Sequence, residues 1–104
     1  MRLIVVTKTK NGITVDGHAG YAEAGKDIIC AAVSALTQTL IESIEELTED
    51  VIACELETGH VEIYLEDLSE KGILLVDSFL IGISHIEEAY PNHVTFINRS
   101  GDKT

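Results

Sequence analysis

Tryptophan is absent, proline and methionine occur once each, and there are only two phenylalanines and three tyrosines among 104 residues. A core must therefore be built from aliphatic side chains, and Pro91 is the only residue able to break a helix by its ring. Positive charge is also scarce. Seven lysines and arginines stand against eighteen aspartates and glutamates, a formal charge of −11. That balance disfavours direct nucleic-acid binding and suits a basic protein or peptide as partner. No apolar run approaches the length of a membrane span, and the start, Met1-Arg2-Leu3-Ile4-Val5-Val6-Thr7, is too short and too soon charged for a signal peptide. Two cysteines far apart, with no export signal, are expected as reduced thiols in a cytoplasm. No linker, internal repeat or low-complexity segment divides the chain, so residues 1–104 are expected to form one domain.

What is present is aliphatic periodicity. Leu3 to Thr9 is rich in β-branched residues and reads as a strand. Asn11-Gly12 is the dipeptide that most readily takes the positive φ angles of a two-residue hairpin turn, and Ile13 to Asp16 alternates as a second strand. Gly17 ends that strand with His18 at its mouth. After a loop containing Gly20 and Gly25, Asp27 reads as a helix N-cap. From there Val33, Leu36, Leu40, Ile44 and Leu47 recur at steps of three and four, one face of a long helix. Val51 to Glu57 alternates as a third strand with Ile52, Cys54 and Leu56 on one side. Thr58-Gly59 turns the chain into His60 to Leu65, where Val61, Ile63 and Leu65 share a face. Ser69 caps a second helix with Ile73, Val76, Leu80 and Ile83 on its core side and Phe79, Ile86 and Tyr90 widening it; Pro91 ends it. Gly72 and Gly82 either weaken this helix or permit close packing. Val94 to Arg99 forms a last strand before a polar tail. The order ββαββαβ predicts an α+β sandwich, a mostly antiparallel sheet packed with two helices.

Several patterns suggest chemistry and then fail on it. Gly20 to Asp27 comes one residue short of the phosphate-binding pattern G-x-x-x-x-G-K-[ST]. Asp27 places a carboxylate where a hydroxyl should meet a metal ion, and the chain has no room for the parallel sheet behind such a loop. Zinc is not expected either. Cys30 and Cys54 belong to no close ligand pair, and His60, His85 and His93 fall on separate elements, two at strand ends and one on a helix. Cys54 alternates with apolar neighbours and reads as a small buried hydrophobe; Tyr64 and Tyr90 read as core or interface aromatics. No cofactor is called for.

The stretch from Gly17 to Ser34, GHAGYAEAGKDIICAAVS, carries the strongest signal. It sets His18 at a strand end and Cys30 in the first turn of a helix, where orphan amides and the positive end of the macrodipole favour thiolate over thiol. Asp27, Cys30 and Ser34 stack on one helix stripe, offset from the Val33, Leu36 and Leu40 face and free to look toward His18. A thiol and an imidazole brought together are the minimum for cysteine nucleophile chemistry. Tyr21, in the glycine loop, is placed equally well to touch a substrate or to pack over the sheet edge. A plainer reading stays open, in which Cys30 fills space beneath the sheet beside Ala31 and Ala32.

The GHAG start, the GKDIICAAVS continuation and the ββαββαβ order together resemble the bacterial ribosomal-processing cysteine protease family (Prp). The resemblance implies His18 and Cys30 as the catalytic pair, Asp27 and Ser34 as supporting residues, and a substrate-binding loop through Gly17, Gly20, Tyr21 and Gly25 that moves and then orders on substrate. It implies an endopeptidase that removes the amino-terminal extension of a large-subunit ribosomal protein, number twenty-seven of the L series, and a homodimer. A basic ribosomal substrate agrees with the acidic charge. Asp27 either caps the helix or orients His18, since one carboxylate cannot do both at once. Two other classes remain to be separated: a non-catalytic ribosome-associated or phage-type protein-binding module, and a redox sensor using Cys30, for which Cys54 is a poor resolving partner.

Overall fold

The protein is represented by a computed structural model that describes residues 3–17 and 28–99. His18, Gly20, Tyr21, Gly25 and Asp27 lie outside the described residues. The elements follow as β1 (Ile4–Thr9), β2 (Gly12–Asp16), α1 (Ile28–Leu47), β3 (Ala53–Glu57), β4 (His60–Tyr64), α2 (Glu70–Ala89) and β5 (Val94–Asn98). The strands form one five-stranded sheet in the order β3-β4-β2-β1-β5. Its pairings are antiparallel except that between β1 and β5, which is parallel because α2 carries the chain across before β5 enters the sheet.

Strand alternation decides what the sheet buries. Ile4 and Val6 of β1, Ile13 and Val15 of β2, Ile63 of β4 and Val94 of β5 are buried in one cluster with Val33, Leu40, Ile41 and Ile44 of α1 and Val76, Phe79 and Ile83 of α2. The register stacks them, with Val6 opposite Val15 and Ile13 opposite Ile63. The alternate residues Val5, Thr7, Thr14, Asp16, His60, Glu62 and Tyr64 are none of them buried. Both helices therefore share one face of the sheet, and among the described residues nothing packs on the other, the open face.

The helices meet closely because Gly82 of α2 has no side chain. A Cβ there would stand 2.9 Å from Leu36 Cδ1 of α1, so this glycine serves packing. Ser69 caps α2 as expected, its Oγ accepting from the Gly72 amide at 3.2 Å, while Asp50 accepts from the Ser69 hydroxyl at 2.8 Å. By length and composition α1 would pass for a membrane span, contrary to the run-by-run expectation. Its Val33, Leu40, Ile41 and Ile44 nevertheless close over the sheet, and Glu42, Glu45 and Glu46 are exposed.

Local expectations are corrected in four places. Thr9 pairs with Gly12, so Lys10 and Asn11 make the hairpin turn, and neither Asn11 nor Gly12 has a positive φ. Gly12 is needed for a different reason, since a Cβ on it would stand 2.6 Å from the Ile63 carbonyl oxygen. Ile73 is half exposed, because Gly72, Val76, Phe79 and Ile83 define the buried stripe and Ile73 lies one residue round from it. Leu47 and Tyr90 are exposed at the ends of their helices, and Tyr64 is exposed because it ends β4 on the sheet face opposite the helices. Cys54 and Leu56 face α1 from an edge strand with one neighbour, so Cys54 is only half-buried and Leu56 is 64% exposed.

Candidate active site

The described chain leaves the sheet at Gly17 and resumes at the start of α1. Gly17 terminates β2 with φ +87, and a Cβ on it would fall 2.1 Å from the Leu3 carbonyl oxygen. Its amide donates to the Gly59 carbonyl at 3.1 Å. Only glycine satisfies both the left-handed backbone and the close approach.

On the other side of the gap, Cys30 is the third residue of α1 as described and is half-buried. Amides in the first turn of a helix have no carbonyl partners within it and are available to a developing oxyanion. Cys30, Ser34 and Gln38 recur at steps of four and line one cavity of about 250 Å³. Val33 and Ile41 complete its helical wall, and Ile4, Val15, Val61 and Leu56 form the sheet wall. Thr37 also borders it, but its hydroxyl is committed to the Val33 carbonyl at 2.7 Å. The Gln38 amide donates to Glu42 Oε2 at 2.9 Å, which holds its orientation. From Cys30 to Gln38 the helix rises roughly 12 Å at ~1.5 Å per residue. An extended peptide covers that length with about three or four residues. The cavity is thus a mostly apolar groove with a thiol near one end.

None of the three described histidines lines this groove. His60 begins β4 on the open face, with Nδ1 bonded to Asp16 Oδ1 and Nε2 3.4 Å from Glu62 Oε1. The hydrogen bond to Asp16, helped by Glu62, raises its pKa above the usual histidine value. His85 is exposed on α2, and the backbone of His93 ties β5 to β1 through its carbonyl, which accepts from the Ile4 amide at 2.8 Å. The remaining histidine of the chain is His18, outside the described residues. Cys54, the other free thiol, is pushed up in pKa by burial and then by Glu45. Both causes disfavour the thiolate at Cys54, and Cys54 does not line the Cys30 groove. Among the described residues no group of three or more histidine, cysteine, aspartate or glutamate side chains is placed to hold a metal ion.

Residue reasoning had singled out Cys30 and Ser34; the structure adds Gln38, Leu56 and Val61 to the same groove. Gln38 was legible as the next step of the Cys30–Ser34 stripe. Leu56 and Val61 were not, because only strand pairing brings β3 and β4 beneath α1. The Asp16–His60 pair, 44 residues apart, had no sequence signal beyond two polar residues at strand ends.

A free thiol at the head of a helix, opening on a peptide-sized groove in an α+β fold, is the nucleophile's half of a cysteine protease site. The family follows from comparison: the family model of cysteine protease Prp matches residues 2–95, and the chain belongs to that family. The Ribosomal processing cysteine protease Prp of Staphylococcus aureus (strain Mu50) is 31% identical over 85 residues, 79% of this chain and 80% of its own length. A crystal structure from Streptococcus mutans superposes with a TM-score of 0.81 at 30% identity, covering 96% of this chain and 98% of that one. The Prp of S. aureus in complex with a substrate peptide shares the fold at a TM-score of 0.81 and 24% identity, over 95% of this chain and all of that one, 100%.

Proposed function

We propose that this cysteine protease is a ribosomal-processing endopeptidase that removes the amino-terminal extension of large-subunit ribosomal protein number twenty-seven of the L series, using Cys30 and His18. The observation that carries this reading is the position of Cys30 at the head of α1, on a groove that no described histidine lines. His18, leaving β2 through the Gly17 turn, is the imidazole left to serve it.

In this mechanism His18 takes the proton of Cys30, and the thiolate attacks the scissile carbonyl. First-turn amides of α1 hold the oxyanion. Collapse breaks the C–N bond, with protonated His18 supplying the proton to the leaving amine and an acyl-enzyme remaining. Water, deprotonated by His18, then attacks the thioester and releases the carboxylate product and the thiol. Ser34 steadies the site one turn below Cys30. Asp27 caps α1 or orients His18, and Gly20, Tyr21 and Gly25 belong to the segment that meets the substrate.

The chain beside the scissile bond lies along the groove toward Gln38. A net charge of −11 favours encounter with a basic ribosomal protein and disfavours nucleic acid, in keeping with a cytoplasmic enzyme. Ile73, Leu74 and Ile81 expose an apolar stripe on α2, the kind of surface that a homodimer covers.

The test is cleavage of a peptide spanning the extended ribosomal amino terminus by wild type, Cys30→Ala and His18→Ala. Cleavage at one bond by wild type and by neither variant is expected. If wild type leaves the peptide whole yet binds it as tightly as Cys30→Ala does, the chain is a binding module and the proposal is wrong.

A further inference from the structure

The open face of the sheet holds an arrangement that the chemistry above does not use. Asp16, the last residue of β2, stands opposite His60, the first of β4, and His60 in turn stands opposite Glu57 of β3. The Asp16 carboxylate accepts from the His60 ring, and the adjoining residues repeat the link through the backbone, Gly17 donating to Gly59. Side chain and main chain therefore clasp β2 to the β3–β4 hairpin at the same level. Gly17 lies where a Cβ would stand 2.1 Å from the Leu3 carbonyl oxygen, so the strand end runs close beside the start of β1. The next residue in the chain is His18.

The charges around the clasp are of one sign. Asp16 faces it from β2, Glu62 from β4, and Glu55 and Glu57 from β3; among the described residues no helix covers this face, and Val5, Thr7 and Thr9 of β1 carry no charge. Among the described residues of this patch His60 is the one group able to become a cation. Without it, Asp16 would face Glu57 and Glu62 with nothing between, and like charges would push the end of β2 away from β4.

We propose that His60 is a positioning residue for the catalytic arm: bonded to Asp16, it holds the end of β2 and so sets the point and direction from which the chain departs toward His18. The inference rests on the assignment of His18 as the base for Cys30. His60 does not line the Cys30 groove, and acts through the strand end. The raised pKa of His60, caused first by the Asp16 hydrogen bond, means that the clasp is charge-assisted below that pKa. As pH rises through it the neutral ring still donates to Asp16, but more weakly, so positioning slackens on the alkaline side.

The test compares the full-length wild type with His60→Ala, which removes the donor, and His60→Gln, which keeps a donor that does not titrate. Displacement of a catalytic group by a fraction of an ångström is costly, so kcat for His60→Ala is expected to fall about tenfold with KM nearly unchanged. His60→Gln is expected to recover most of kcat, and the ratio of wild type to His60→Gln to decline as pH rises through the His60 pKa. A second readout needs no turnover. In a Cys30→Ala background with labelled histidine, the His18 ring resonances are expected to move in His60→Ala and to stay near their wild-type positions in His60→Gln.

If His60→Ala turns over like wild type with unmoved His18 resonances, or if His60→Gln falls as far as His60→Ala, the proposal is overturned. Should wild type fail to cleave, the protease assignment fails by that result, and the His18 resonances alone decide the positioning role.

Discussion

The carbonyl oxygen of Leu3 occupies the space that a side chain at Gly17 would need, a Cβ there falling 2.1 Å from it. Because Gly17 also has φ +87, substitution meets a clash and a disfavoured backbone at once. Gly17→Ala is expected to destabilise the fold by about 2 kcal/mol or more. It should also abolish cleavage under conditions where most of the variant is still folded. Denaturant melts and turnover on the same samples check both.

Leu56 puts an apolar side chain into the Cys30 groove from an edge strand and is 64% exposed. Replacing it by serine removes substrate contact more than core. Losing about 1.5 kcal/mol of apolar contact raises KM roughly tenfold. kcat and the unfolding midpoint should change little. A variant that lowers kcat at constant KM would place Leu56 outside the binding groove.

Gly82 and Leu36 set the distance between α2 and α1, with a Cβ on Gly82 reaching to 2.9 Å from Leu36 Cδ1. Helix propensity alone would make Gly82→Ala stabilising by about 1 kcal/mol. Overpacking of about 1–3 kcal/mol should outweigh it. Combining it with Leu36→Ala, which vacates the space, should recover part of the loss. A double-mutant cycle of melts measures the coupling, and additive effects would contradict the contact.

His60 also predicts the sign of a stability change with pH. Its pKa is raised in the folded protein, chiefly by Asp16, so its contribution is fully present below the ordinary histidine pKa. It is lost as pH rises through the raised value. The stability advantage of wild type over His60→Gln should therefore shrink from mildly acidic to alkaline pH, and added salt should shrink it too, because the groups are partly exposed. Unfolding midpoints of the two proteins across that range give the difference directly.

The order of elements was legible because each carries a clean period. Ile13 and Val15 alternate, Leu36, Leu40 and Ile44 step by three and four, and Ser69 and Pro91 bracket α2. The GHAG and GKDIICAAVS segments likewise marked Cys30 without any structure. Misreadings came where a neighbour in space decides. Asn11-Gly12 has the dipeptide of a turn, but the carbonyl of Ile63 claims the room beside Gly12 and moves the turn one residue back. Ile73 suits the helical period, yet the stripe that reaches the sheet runs through Gly72, Val76 and Phe79.

Sequence alone thus determined the strands and helices, the candidate nucleophile Cys30 and the family, since periodicity, caps and a local motif are all short-range properties of the chain. Tertiary structure alone decided that both helices share one sheet face, that β5 runs parallel to β1, that Leu56 and Val61 wall the Cys30 groove, and that His60 clasps Asp16. Those relationships depend on strand order and register, which join residues tens of positions apart through burial and backbone pairing, and no local pattern encodes such a pairing.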